Sequence, residues 1–280
     1  MSATARSPAI VPPLQCPCDG AAFALQFDYA QAPAGEIQFS FAGQVEYRRQ
    51  VLRCRTCGHF VSRHSMDIAG LYSGEYVNST YGDADGLRRS FERIVGLDPQ
   101  KSDNTARVKR VCDFAAGHFG DRPGRHSILD VGSGLCVFLF RMKQAGWDCT
   151  ALDPDERSCA HARQVAGVNA VCGDFMRVDT PDRFDVVSLN KVLEHVEDPV
   201  AMLAKARDCL APGGFVYIEL PDGEAAASEG PGREEFFIDH LHVFSAASFA
   251  LMVERAGFNL LMLERLREPS TKFTLRGFIN

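Results

Sequence analysis

Across its 280 residues the chain has no run of about 18 consecutive apolar residues, the length a membrane-spanning helix needs, so no such span is expected. Met1 to Pro13 lacks the apolar centre of a secretory signal and reads as a flexible tail. Basic residues are not in excess. The 30 Lys and Arg against 36 Asp and Glu leave a net charge of −6, which argues against a broad basic face for nucleic acid. Internal repeats and low-complexity segments are absent. Cysteine is not scarce: there are ten, and without a secretory signal they point to a reducing, cytoplasmic setting with thiols free or bound to metal. The length suits one α/β domain and a small additional module.

What is present centres on Ser127-Ile-Leu-Asp-Val-Gly-Ser-Gly-Leu-Cys136 and Cys149-Thr-Ala-Leu-Asp-Pro154. An apolar run ends in an acid, then Gly-x-Gly, then a helical pattern, then a second buried-type strand ending in Asp153. This is the pattern of a βαβ unit that holds a nucleoside. Asp153 follows Gly132 by 21 residues, the spacing of an acid that binds ribose hydroxyls. A dinucleotide loop needs a third glycine so that the backbone can approach a pyrophosphate, and that position holds Val137. The alternative Gly-x-Gly-x-Gly position holds Cys136. A ligand without phosphate relaxes the requirement. Asp130, just before the turn, suits one carrying an amine and a sulfonium, which is S-adenosylmethionine.

Three further strands are expected: Val168–Phe175 ending in Asp174-Phe175, Arg183–Asn190, and Phe215–Leu220 after a helix at 199–210 and the turn Ala211-Pro-Gly-Gly214. With "LDVGSG", "ALDP", "GDF", "FDVVSLNKVLEHVEDP" and "LAPGGFVYIELP" in that order, residues 104–264 resemble the class I S-adenosylmethionine-dependent methyltransferases. The resemblance implies an α/β fold with a Rossmann-like seven-stranded core, whose last two strands form a hairpin from Phe258–Glu264 and Lys272–Phe278 joined to the site by the helix Ala246–Ala256. It also implies roles. Asp153, followed by Pro154, would hold the ribose, Asp174 the adenine amine with Phe175 beside the ring, and Gly132 and Gly134 the methionine end. Asn190 is counted with this donor-binding set.

Towards the N-terminus, Cys16-Pro-Cys18 and Cys54-Arg-Thr-Cys57-Gly-His59 form two close pairs. Four thiolates make a closed, structural zinc site. Cys16-x-Cys18 is one residue short of the usual bite, so His59 or His64 is an alternative ligand. Phe23, Phe27, Tyr29, Ile37, Phe39, Phe41, Val45 and Tyr47 lie between in short alternating runs, as in a small β module. The basic residues at 48, 49, 53 and 55 read as a solvated sheet face or a local basic strip. This region is similar to a group of methyltransferases, best known as sugar C-methyltransferases, that carry a zinc ribbon, a helical linker and the class I core. The domain reading is therefore a tail (1–13), a zinc-binding β module (14–66), a helical bridge or lid (67–122) and the core (123–280) with a substrate loop at 223–245. In the bridge, Asp98-Pro99 divides two helices between Leu87 and Phe119. Arg107 is a candidate partner for the donor carboxylate, and Tyr72, Tyr76 and Tyr81 are candidates for an aromatic lid.

Transfer to a hydroxyl or carbon acid requires a general base, and histidine serves near neutral pH. His195, in Glu194-His195, lies just beyond the fourth core strand. His240 lies in Glu234-Glu-Phe-Phe-Ile-Asp-His-Leu-His-Val-Phe-Ser245. The latter resembles the "Tyr-His-Glu-His-Leu…Phe-Ser" element of the sugar enzymes. The resemblance makes His240 the main base, with Asp239 beside it and His195 as second candidate. Phe237 stands where the relatives carry tyrosine, which puts O- or N-methylation at least on a par with C-methylation. The expected acceptor is a small sugar, nucleotide sugar or glycan intermediate. An RNA base methyltransferase and a non-catalytic S-adenosylmethionine-binding protein are the alternatives.

Overall fold

The computed structural model describes residues 14–36, 46–64, 66, 84–179 and 182–280. The Met1–Pro13 tail, Ile37 to Val45 and the three lid tyrosines Tyr72, Tyr76 and Tyr81 lie outside them. The N-terminal part contributes strands β1 (Phe23–Tyr29), β2 (Arg49–Cys54) and β3 (Phe60–His64). Helices α1 (Ala84–Val95) and α2 (Asp103–Phe119) follow. The core then runs β4 (Ser127–Val131), α3 (Val137–Gln144), β5 (Asp148–Asp153), α4 (Glu156–His161), β6 (Asn169–Cys172), β7 (Phe184–Asn190), α5 (Pro199–Ala206), β8 (Leu210–Pro221), α6 (Gly223–Glu229), β9 (His242–Val243), α7 (Ala246–Arg255), β10 (Leu260–Arg267) and β11 (Phe273–Ile279).

Seven strands form the main sheet in the order β10-β11-β8-β7-β4-β5-β6. β8, β7, β4, β5 and β6 are parallel, and β11 pairs antiparallel with both β8 and β10. Strands buried on both faces need apolar residues at successive positions, and Ile128, Leu129 and Val131 supply them. Alternation divides them between two cores. Leu129, Val131, Val187, Leu189, Val216 and Ile218 pack with Phe249 and Met252 of α7 on one face. Ile128, Val186, Phe215 and Tyr217 pack with Val111 of α2 and Leu139 and Met142 of α3 on the other. The order reverses between β4 and β7, so their carboxyl ends open the crevice in which such sheets bind ligands.

The expected break between the bridge helices is realised by caps. The Asp98 side chain accepts from the Gln100 amide, and Ser102 Oγ accepts from the Thr105 amide to start α2. The stretch expected as the substrate loop 223–245 begins with a helix, because Asp222 accepts from the amides of Glu224 and Ala225 and alanines follow. The N-terminal module shares its sheet with this stretch. Its sheet has the order β1-β2-β3-β9, and the fourth strand comes from the core's 223–245 loop. Phe60 and Val51 bury themselves against Ala226, Phe236 and Val243 of that loop.

Two of the four residues of the basic strip are engaged: Arg49 is buried, ion-paired to Glu36 at 3.1 Å and donating to the Phe236 carbonyl at 2.6 Å, and Arg53 lies 3.6 Å from Glu224. Arg48 and Arg55 are exposed.

The fit of module to core is tight at Gly223. A Cβ there would lie 2.5 Å from the Phe60 ring and 2.9 Å from Val243. Gly223→Ala is expected to cost about 1–3 kcal/mol through displacement of Phe60, measured as a lower guanidinium midpoint at unchanged slope.

Candidate functional site

The crevice is built from the ends of β4, β5 and β7. Gly132 has φ +69°, and a Cβ on it would sit 2.8 Å from Val192 Cγ2. Two independent constraints therefore require glycine at the turn. Gly134, φ +48°, faces open space on its Cβ side. Its amide donates to Asp153 Oδ2 at 2.9 Å, and the Asp155 amide donates to Oδ1 at 2.9 Å. Asp153 thus ties the end of β5 to the glycine turn. Burial pushes its carboxyl up, and the two amides act against that. Pro154 beside it is exposed. Val137, at the site of the missing third glycine, packs into the core, which accounts for the β-branched residue.

Asp130 is buried at the end of β4. Its Oδ1 accepts from Ser188 Oγ at 2.6 Å and from Asn190 Nδ2 at 2.9 Å. Burial raises its carboxyl to about 6 despite these donors and the nearby Arg107 charge. Asn190 Oδ1 is buried without a hydrogen-bond partner among the described residues, an acceptor still unspent there. Asp174 stands half-exposed, accepting from the Met176 amide at 2.9 Å, with Arg177 at 3.5 Å. Phe175 is buried in the core rather than presented at the surface.

Arg107 is positioned by α2, but its partner is internal. Its Nε and Nη2 donate to Glu219 Oε2 at 2.9 and 2.5 Å, and Nη1 donates to Asn104. Glu219 also accepts from Tyr217 and, at 3.1 Å, from Arg276 Nε. Burial alone would push this carboxyl up. Arg107, Lys191 and Arg276 overturn that and hold it at about 2. Lys191 has φ +57°, costly for a side chain of its type, and donates through Nζ to Thr274 Oγ1 at 2.8 Å. Glu268 is buried, 3.9 Å from Arg276, and pushed up to about 7 by burial and by Glu219. Sequence reasoning missed this cluster. Its one visible signal was an acid inside the otherwise apolar "FVYIEL" strand.

The two candidate bases are brought together. The rings of His195 and His240 are 4.9 Å apart. His195 Nδ1 lies 2.8 Å from the Asp239 carbonyl, and His240 Nδ1 lies 2.8 Å from the Glu235 carbonyl. A carbonyl only accepts, so each ring carries hydrogen on Nδ1, and in the neutral form Nε2 is the lone-pair nitrogen. Asp239 Oδ2 stands 4.0 Å from His240 Nε2. Glu194 is fully buried, and neither carboxylate oxygen has a hydrogen-bond partner among the described residues. Its oxygen and the two histidine nitrogens lie within 4.8 Å of one another. The arrangement is rich in acceptors and suited to receiving a proton or a cation.

Cys16, Cys18, Cys54 and Cys57 converge, with Sγ–Sγ separations of 3.3 to 3.5 Å for three of the pairs. The Gly20 amide donates to Cys18 Sγ at 3.3 Å. The short Cys16-x-Cys18 spacing is therefore compatible with convergence. The histidine alternatives are committed elsewhere: His59 bonds to Ser248 and His242, and His64 to the Met66 carbonyl.

Gly132→Ala is expected to weaken binding of S-adenosylmethionine more than tenfold (over ~1.4 kcal/mol) by calorimetric titration, with the fold retained by circular dichroism. Charge on Asp130 attracts a cationic ligand, so affinity should fall as pH drops through about 6, where that carboxyl takes up its proton. Asp130→Asn should bind weakly with a flatter pH profile.

Comparison with known proteins follows this geometry. A family model described as "Methyltransferase domain" matches residues 86–263, 178 of the 280 residues. The ubiquinone biosynthesis O-methyltransferase of Aeromonas salmonicida (strain A449) is 27% identical over 161 residues, covering 55% of this chain and 62% of that protein. The enzyme of the same name from Pseudomonas paraeruginosa (strain DSM 24068 / PA7) is 31% identical over 137 residues, covering 46% and 56%. The chain thus spans less than two thirds of these relatives. The solved structure of magnesium protoporphyrin IX methyltransferase from Synechocystis PCC 6803, with bound SAH, superposes with a TM-score of 0.54 at 17% identity, covering 76% of this chain and 99% of that one, a likeness of fold. With a family match over more than half its length, the chain belongs to the methyltransferase-domain family.

Proposed function

We propose that the protein transfers a methyl group from S-adenosylmethionine to a small polar acceptor, a sugar, nucleotide sugar or glycan intermediate, with His240 as the general base. The observation that carries the donor reading is the crevice of Gly132, Gly134, Asp130 and Asn190 at the β4–β7 switch, within the family match. Asp130 and the unspent Asn190 oxygen would receive the donor's ammonium. Asp153 would face its ribose and Asp174 its adenine, with Pro154 and Phe175 supporting these loops. Arg107 would pair with the donor carboxylate through the N–H groups left over, since Glu219 and Asn104 take three of its five.

When bound, S-adenosylmethionine supplies a methyl group already activated on sulfur, so the chain's task is alignment and proton removal. His240 would take the acceptor proton on Nε2. Its Nδ1–H stays on the Glu235 carbonyl, and the imidazolium so formed faces the carboxylates of Asp239 and Glu194. His195 is the second base and packs against His240. An oxygen acceptor is favoured by Phe237, which lacks the tyrosine hydroxyl of the C-methylating group, and by relatives named O-methyltransferases.

The cysteine cluster is proposed to hold one structural Zn²⁺. Four thiolates at Zn–S distances of ~2.3 Å span edges of about 3.8 Å, a small expansion of the observed separations. Such an ion would cross-link Cys16 and Cys18 to the β2–β3 turn.

His240→Ala should retain donor affinity while losing about 10²–10⁴-fold in turnover, measured with the acceptor from a mass-spectrometric screen of nucleotide sugars and glycans. A near wild-type rate would remove His240 from the base role. Purified protein should contain one zinc per chain. Cys54→Ser should lose it and unfold at lower temperature.

A further inference from the structure

The N-terminal module reaches the candidate base through two fully buried histidines. His59 follows Cys57-Gly58, and His242 lies two residues beyond His240. His59 Nε2 lies 3.0 Å from His242 Nδ1, His59 Nδ1 lies 3.2 Å from Ser248 Oγ, and His242 Nε2 lies 3.3 Å from the Glu197 carbonyl. The polarity of this chain is fixed from its end. A carbonyl only accepts, so His242 carries hydrogen on Nε2 and presents a bare Nδ1. His59 must then donate from Nε2 and accept at Nδ1 from the Ser248 hydroxyl, whose one hydrogen is thereby drawn from its other acceptor, the Ser245 carbonyl at 3.2 Å. A ring rotated or protonated elsewhere would leave a buried polar atom unmatched, at a penalty of about 1–3 kcal/mol.

The same segment is held on both sides. β3 pairs with β9 through Phe60–Val243 and Val61–His242, and the Ser62 amide donates to the Leu241 carbonyl at 2.9 Å. From the core, the Leu241 amide donates to the Glu194 carbonyl at 2.8 Å. Ser245 Oγ donates to the Cys57 carbonyl at 2.5 Å. His240 therefore sits one residue before a node where the core and the module both grip the backbone.

We propose that His59 is a positioning residue for methyl transfer: through His242 it fixes the 239–243 segment so that His240 presents Nε2 to the acceptor. The proposal rests on His240 as the base, but its structural part is testable without any acceptor. His59→Phe keeps a ring and removes both hydrogen bonds, whereas His59→Gln retains one donor and one acceptor. The full-length, zinc-loaded protein is followed by hydrogen exchange and by ¹⁵N spectra of labelled histidine.

His59→Phe should raise exchange across 239–243 by at least about tenfold, leave the β4, β5 and β7 segments and zinc content unchanged, and average out the Nδ1–H tautomer signal of His240. Donor affinity should stay within about twofold, and His59→Gln should restore most of the protection. Unchanged exchange at 239–243 with an intact His240 signal would overturn the proposal. So would a rise of equal size through the core sheet, which would make His59 a residue of general stability. Failure of His240→Ala to lose turnover with these results intact would instead count against the base assignment alone.

Discussion

A parallel sheet covered on both faces can keep polar groups only at the ends of its strands, and the site depends on that constraint. Between their polar ends β4 and β7 are apolar save Ser188, which itself donates to Asp130, and their carboxyl ends carry Asp130 and Asn190. Burial is what gives these groups their character. Asp130 rises to about 6 although two donors reach it, because the crevice withholds water from its charge. Glu219 goes the other way, since Arg107, Lys191 and Arg276 surround it. Two carboxylates at one sheet edge are thus driven apart by surroundings alone. The polar cluster is held by mutual pairing, and removing one partner of such a buried group costs about 3–5 kcal/mol because the other charge stays behind.

The same edge explains how the N-terminal module reaches the candidate base. The 223–245 segment crosses from the end of β8 towards α7 and cannot be covered by the main sheet. It adds β9 to the module's sheet instead, and Phe60 and Phe236 seal the contact. A cysteine cluster, a four-stranded sheet and a pair of histidines are then parts of one support, at whose far side His240 meets His195 and Glu194.

Much of this was legible in the sequence, for physical reasons. The strands β4, β5, β7 and β8 announce themselves because double burial demands apolar runs, and the Gly132 turn because no other residue fits against Val192 at positive φ. The bridge helices were readable from Asp98-Pro99 and Ser102. What escaped depends on pairing between distant segments. No local pattern tells that Arg107 meets Glu219 across 112 residues, that Phe175 turns into the core, or that His59 is engaged by a histidine 183 residues away rather than by metal. The helix α6 starts on a glycine, a poor helix former, and is set by the Asp222 cap and the alanines that follow.

The proposed donor reading requires a crevice shaped for a nucleoside that carries a sulfonium and no pyrophosphate. Calorimetric titration of the wild-type protein with S-adenosylmethionine, S-adenosylhomocysteine and NAD under identical conditions tests it. One-to-one binding of the first two and none of the dinucleotide is expected. Binding of NAD, or no binding of either sulfur ligand, would overturn the donor reading.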